Sequence, residues 1–454
     1  MEKRCRTDSE PVTVAVFGHV GQHNLGDEAA FDVVIKAVRA RRSAVEIIGI
    51  SVRPEDTRQR YGIPTFPIWR DVPSLTSVPD SIGGSQSGAH AVPKTSVNQA
   101  SPLKQAVKAI PGLASLFRFG WRALRLTLTS GREAAFLWRS YRMLRQVDLL
   151  AVAGSQHLND YIVGPWNFPY TVFKWTAIAK LAGAKVAFIN VGAGPLQTSL
   201  GRWFVRQAVA WSDFQSYRDE SSVRCIQELG LNVSSPSVPD MVFSLFREKS
   251  RPSADPSRRS MVVGINPIPF NSADYWVGAS EEKYQRYIRT MVEFVQWLLR
   301  RGHKVVFFPT QLSLDTKVIK NVRDALDPKL VNVESVAEAS IKSIEDLSAT
   351  LAGMDLVVAS RFHGAIFSML LEKPVLGIAY AEKTRDLMAY MGQGEYVMDI
   401  TKLDLQEMQR MFQVIETRQT EIQAVLRTRL QEAKRRVEAQ FDAVLGLLGP
   451  ITTH

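Results

Sequence analysis

Cysteine is nearly absent: the 454 residues hold only Cys5 and Cys225. A disulfide framework is thereby excluded, and neither cysteine has the partner spacing of a metal site, which points to a reducing cytoplasm. Long apolar runs are missing too. No stretch approaches the roughly 18–20 residues that span a bilayer. The first eleven residues carry both charge signs without an apolar core, so no secretory signal is expected there. No internal repeat occurs. What remains is an ordinary globular composition, 45% hydrophobic and 22% charged, long enough for two domains.

The formal net charge of +11 is unevenly spread. Residues 104–145 hold nine Lys or Arg against the single acid Glu133, so the rest of the chain is close to neutral. Trp121, Leu124, Phe136, Trp138 and Tyr141 are interleaved with those cations. The pattern suits an amphipathic helix on an anionic lipid surface, or equally a helix packed on the protein with a solvated basic face. Upstream, residues 72–102 contain seven Ser, four Pro and three Gly and read as a loop without a core. We expect residues 71–145 to be a flexible, basic insert. No nucleic-acid module accompanies it, so nucleic-acid binding is not expected.

Outside the insert, short β-branched runs alternate with stretches of helical period. Val12–Phe17, Ala44–Ile50, Asp148–Ala153, Lys185–Val191 and Asp213–Tyr217 read as strands. After the Pro/Ser/Arg-rich stretch 247–260 the rhythm restarts with Met261–Asn266, Lys304–Pro309, Asp355–Ala359 and Val375–Ile378. Such alternation predicts an α/β chain of two Rossmann-like domains with parallel sheets, over 11–246 and 260–400. Residues 402–448, free of Gly and Pro until Gly446, predict C-terminal helices.

Ligands bind at the carboxyl ends of strands in such sheets, so the loops there are the places to search. Gly18–Ala29 is not a dinucleotide fingerprint. Its Asn24, Gly26 and Asp27 could approach an anion or hydroxyls, although Asp27 equally suits a helix cap. Gly154–Asp160 places a carboxylate beside a glycine turn, and Gly192–Pro195, with Gly194, is a tight turn. Arg218 ends a buried strand, suited to a bidentate anion contact or to an ion pair with Asp219. Ser360-Arg361-Phe362-His363-Gly364 brings a guanidinium, an imidazole and a helix start together, a natural phosphate site. Lys383 and Arg385 follow nearby and could add positive potential or stay solvated. No His/Cys/Asp cluster has metal spacing, so no metal and no cofactor are expected.

Taken together, Asn24–Ala29, Gly154–Asp160, Gly192–Leu196, Arg218–Ser221, Pro239-Asp240, Phe308–Thr310, Ser360–Gly364 and Pro374–Gly377 resemble the polysaccharide pyruvyl transferase family. The resemblance runs over about 12–400, with 53–145 excluded. It implies a glycosyltransferase-B-like arrangement and transfer of pyruvate from phosphoenolpyruvate to a saccharide as a ketal, in cell-surface polysaccharide or glycolipid synthesis. Carried over by motif, Arg218, Arg361 and His363 would contact phosphoenolpyruvate, with Asp160 in the same cleft. Asn24, Gly26, Gly154, Gly194 and Phe362 would complete the substrate-binding set. We expect His363 to move protons, with Asp160 or Asp27 as base. The family's Gly-Gly-Gly run is Ala153-Gly154-Ser155 here, which points to a changed acceptor. A lipid-linked acceptor would give the basic insert a reason to touch the inner membrane face. The competing expectations are a nucleotide-sugar glycosyltransferase and a non-catalytic saccharide-binding member.

Overall fold

The computed structural model describes residues 11–71, 131–161, 164–233, 237–247, 260–273, 275–276, 278–332 and 334–449. Most of the expected insert, residues 72–130, lies outside them.

The N-terminal half builds one six-stranded sheet from β1 (Val12–Phe17), β2 (Val45–Ser51), β3 (Thr65–Pro67), β4 (Leu149–Ala153), β5 (Lys185–Val191) and β6 (Phe214–Tyr217). The second sheet comprises β7 (Val262–Asn266), β8 (Lys304–Phe307), β9 (Val336–Glu338), β10 (Leu356–Ala359), β11 (Val375–Ala379) and β12 (Val397–Asp399). Every pairing is parallel. Strand orders are 3-2-1-4-5-6 and 12-11-10-7-8-9, so each sheet reverses direction once. The reversals fall between β1 and β4 and between β7 and β10, where carboxyl-end loops diverge and leave a crevice. β4, β10 and β11 are buried throughout, which explains why these strands read as apolar runs without alternation.

The structure extends the sequence reading in three places. The region left out of the resemblance, 53–145, begins with a helix, Pro54–Tyr61, and the edge strand β3. Residues 131–144 are helical and bury Phe136 and Leu144 completely, so this part of the basic stretch packs on the N-terminal core. Helices Leu312–Asp324 and Glu382–Tyr390 complete the second half.

The long helix Gln419–Gly446 ties the halves together. Its Ile422, Leu426 and Leu430 join the core around the second sheet, whereas Val437, Phe441 and Val444 join the core around the first. Arg41 reaches back to Glu438 and Asp442. Because Phe441 is buried and Asp442 is two-thirds exposed, the apolar contact carries this junction. Phe441→Ala should cost about 3–5 kcal/mol in denaturant unfolding, and Asp442→Ala no more than about 1 kcal/mol. Equal losses from the two would contradict this division.

Candidate active site

Loops from both sheets close around one cleft of about 520 Å³, part of it open to solvent. Asn24 and Asp27 follow β1, Ser155 and Gln156 follow β4, and Arg218 follows β6. From the second sheet come Tyr275, Thr310, Gln311, Arg361, Phe362, His363, Tyr380 and Lys383. The two sides are stitched by backbone hydrogen bonds: Leu25 N–H donates to Thr310 O at 3.1 Å, and Leu312 N–H to His23 O at 3.3 Å.

Asn24 caps helix Leu25–Arg41 by accepting from Gly26 N–H at 3.1 Å. The cap is therefore Asn24, and Asp27 is left to face the cleft. Its carboxyl is pushed up to about 6 by burial, against the opposing pull of the Ser155 hydroxyl and of Arg218. Gly26 is required by close approach: a Cβ there would stand 1.9 Å from His363 Nδ1. His363 lies in the first turn of helix Phe362–Leu370, with Nε2 3.9 Å from Asp240 Oδ2. Burial, then the cations Arg218, Lys383 and Arg361, hold it well below the usual histidine range. The imidazole is neutral near pH 7.

Arg218 is buried, with Nε 3.3 Å from Asp219 Oδ2 and Nη2 donating to Gln156 Oε1 at 3.2 Å. Its ion pair with Asp219 and its place in the cleft coexist. Gly192 makes room for it, since a Cβ there would come within 2.8 Å of Arg218 Nη2. The guanidinium carbon stands 4.9 Å from the centroid of Phe362. Arg361 is clamped by Asp315, whose Oδ1 accepts from Nε at 2.9 Å and Nη2 at 2.6 Å, while Tyr275 takes Nη1 at 3.1 Å. Asp315 is wholly buried and also accepts the amides of Thr310 and Gln311. Lys383 donates to Gln156 Oε1 at 2.8 Å and is lowered to about 7 by burial and then by Arg218.

Two helices open on this cleft without a side-chain cap, Phe362–Leu370 and Glu382–Tyr390. Their first-turn amides and dipoles favour an anion. Gln311 Nε2, buried and without a partner among the described residues, is a further donor at the cleft wall. A second chamber of about 940 Å³ adjoins the first and shares Arg218, Phe362 and Lys383 with it. Asp240 and Asp386 line it, and Asp386 Oδ2 is buried with no hydrogen-bond partner among the described residues.

Not every expected residue reaches the cleft. Asp160 does not line it. The carboxylate accepts the amides of Gln197 at 2.6 Å and Thr198 at 2.8 Å, fixing the loop before helix Ser199–Ala210, so both oxygens are committed to backbone. Gly154 and Gly194 lie behind the wall. A Cβ on Gly154 would meet Asn190 O at 2.8 Å, and Gly194 O accepts from Gln156 Nε2 at 2.8 Å. Arg385 turns away to Asp399 at 2.7 Å. Conversely, Tyr275, Gln311 and Tyr380 line the cleft, Asp315 holds Arg361 and Asp240 faces His363, although of these the sequence singled out only Asp240, and that only within a motif. Among the described residues no His/Cys/Asp/Glu group could hold a metal ion.

Comparison with known proteins agrees with this architecture. The two-domain fold is similar to UDP-GlcNAc 2-epimerase from Neisseria meningitidis, with a TM-score of 0.53 at 11% identity over 96% of this chain and 99% of that one. A glycosyltransferase from Rickettsia africae matches equally, with a TM-score of 0.53 at 10% identity, 97% and 99% covered. At such identities the likeness shows the α/β glycosyltransferase-B-like fold alone. In sequence, the chain is 22% identical to the amylovoran biosynthesis protein AmsJ of Erwinia amylovora over 276 residues. That match covers 57% of this chain and 63% of AmsJ. The family model for polysaccharide pyruvyl transferase matches residues 24–382, and with most of its length so matched the chain belongs to that family.

Proposed function

We propose that the protein transfers pyruvate from phosphoenolpyruvate to a saccharide, closing a cyclic ketal and releasing inorganic phosphate. The observation that carries this reading is the convergence of Arg218, Lys383, His363 and two uncapped helix N-termini on a single cleft. Such a donor set matches a compact ligand bearing a phosphate and a carboxylate. Arg361 is held rigid by Asp315 and contributes a fixed guanidinium rather than a mobile one.

In this mechanism the ligand's methylene carbon takes a proton, leaving the adjacent carbon electrophilic. One saccharide hydroxyl adds there and gives up its proton. A second hydroxyl on the same sugar then bonds to that carbon, its proton passing to the His363 imidazole left neutral by the first step, and phosphate departs with its bonding pair. His363 is the proton-transfer group and steadies the phosphate. A multiply negative ligand offsets the cations that keep its imidazole neutral, so proton uptake by His363 becomes easier with substrate bound. Asp27, with its raised carboxyl, is the base for a hydroxyl. Asp160 has no part in these steps. The adjoining chamber, with Asp240 and Asp386 on its wall, offers carboxylates to a polyhydroxylated acceptor. Ser155 replaces a glycine of the family pattern beside Asp27 and narrows the approach, consistent with an altered acceptor.

Three outcomes test the proposal. With purified protein, phosphoenolpyruvate and a panel of free and lipid-linked glycosides, mass spectrometry should find a pyruvate adduct, and colorimetry should find phosphate rather than a nucleoside diphosphate. His363→Ala should lower turnover about 10²–10⁴-fold, and wild-type turnover in that variant would refute the assignment. Arg361→Lys should be nearly as damaging, because an ammonium cannot hold both the Asp315 and Tyr275 contacts.

A fourth expectation concerns pH. Lys383, lowered to about 7, loses its proton in the free protein as pH rises through that value. A bound anion favours its charged form, so phosphoenolpyruvate affinity should fall above about pH 7 with proton uptake on binding. Over the same window the unfolded chain keeps the lysine protonated, and this group's contribution to stability therefore rises with pH. Calorimetry in buffers of different ionisation enthalpy measures the uptake. Lys383→Met should remove the part of it that sets in as pH rises through about 7, leaving any share taken by His363, and an unchanged uptake would contradict the assignment.

A further inference from the structure

A helix on the outside of a sheet ordinarily turns its apolar stripe inward and its polar side to water. Helices Phe168–Leu181 and Ser199–Ala210 depart from that pattern. Their inner faces bury Val172, Trp175, Val205 and Ala208 in the core of the first sheet. Their outer faces are apolar as well. Tyr170, Phe173, Ala177 and Leu181 follow helical spacing on one; Leu200 and Trp203 lie on the other, with Trp211 just past its end and Phe204 buried beneath them. Leu181 is 77% exposed, Trp166 66%, Trp203 47% and Trp211 41%.

These side chains form one continuous surface. Trp166 packs on Phe204 at 5.5 Å, and Phe173 on Trp203 at 5.2 Å and on Trp211 at 5.5 Å. Monomeric proteins seldom leave so much contiguous aromatic surface to water without a use for it.

The charge the two helices themselves carry has one sign. The two helices hold Lys174, Lys180, Arg202 and Arg206 and no Asp or Glu. Lys174 is buried against Glu133, and Lys180 shares Asp213 with Lys185. Arg202 and Arg206 donate to the backbone carbonyls of Glu228 and Leu229, so no carboxylate in those contacts cancels their charge. On the neighbouring helical segment 131–144, Trp138 is 59% exposed and Arg139 and Arg142 are exposed.

We propose that this two-helix face docks the protein onto an anionic phospholipid surface, with the tryptophans at headgroup depth and the arginines on lipid phosphates. Exposed tryptophan edged by arginine is the make-up of interfacial attachment, where amphipathic rings settle between water and acyl chains. A second copy of the chain is the poorer occupant, because a two-fold contact would set Arg206 and its neighbours against their own copies. Attachment here is parallel to the surface, since among the described residues no helix is long and apolar enough to cross a membrane. The surface is separate from the cleft and stands whether or not the transfer reaction is correct.

The test is co-sedimentation of the full chain with vesicles of phosphatidylcholine alone and of phosphatidylcholine mixed with phosphatidylglycerol. Binding should require the anionic lipid and weaken with salt. Trp166→Ser combined with Trp203→Ser, and separately Arg202→Glu combined with Arg206→Glu, should each lower partitioning by about tenfold or more. Leu181→Asp, at the most exposed apolar position of the face, should do the same without touching the core. Thermal unfolding shows whether each variant remains folded. No binding by the wild type overturns the proposal, as does equal binding to both vesicle types. Folded variants that bind like the wild type also overturn it. So does a dimer in lipid-free sedimentation velocity that the tryptophan variant dissolves, or tighter binding to a single-stranded oligonucleotide than to the anionic vesicles.

Discussion

The site depends on the approach of two helix starts across the cleft, where Gly26 of the first sheet's leading helix meets His363 of the second half. With a Cβ 1.9 Å from the imidazole, no residue other than glycine fits without displacing the His363 ring or one of the helices. That contact seats the histidine among three cations and away from bulk water, which sets its proton affinity. Backbone hydrogen bonds between Leu25 and Thr310 and between Leu312 and His23 hold the same junction. The helix Gln419–Gly446, buried in both cores, fixes the halves from behind. Position and electrostatics therefore come from one arrangement.

Within it the charges are arranged in compensated pairs. Arg361 is balanced by Asp315, and Arg218 by Asp219, so neither guanidinium is left isolated in a buried site. Lys383 lacks so close a carboxylate and responds by approaching neutrality. The unliganded cleft is thus less positive than its count of basic residues suggests, and an entering anion recruits charge as well as meeting it. Two helix N-termini supply partial charge that needs no proton.

Much of this was legible in the chain. Strand–helix alternation revealed two parallel sheets, because strands buried on both faces are apolar runs that stand out beside amphipathic helices. The arginine-histidine pair after β10 and the arginine after β6 stood out because charge at the end of a buried strand is unusual. Asp315 did not stand out. It lies one turn inside a helix of mixed composition, and only the fold brings it under Arg361. Asp160 misled for a related reason: a carboxylate at a strand end suggests chemistry, while its two oxygens are spent on amides some forty residues onward. Strand β3 spans three residues, too few to show a period. The outward aromatic face escaped because its residues come from two helices separated by a strand.

The most direct measurement of the central claim is a crystal structure of the protein with phosphoenolpyruvate. The account predicts density for the ligand between Arg218 and Lys383, its phosphate at the start of helix Phe362–Leu370 and His363 within hydrogen-bonding reach. Density elsewhere, or a ligand that leaves these three side chains untouched, would contradict it.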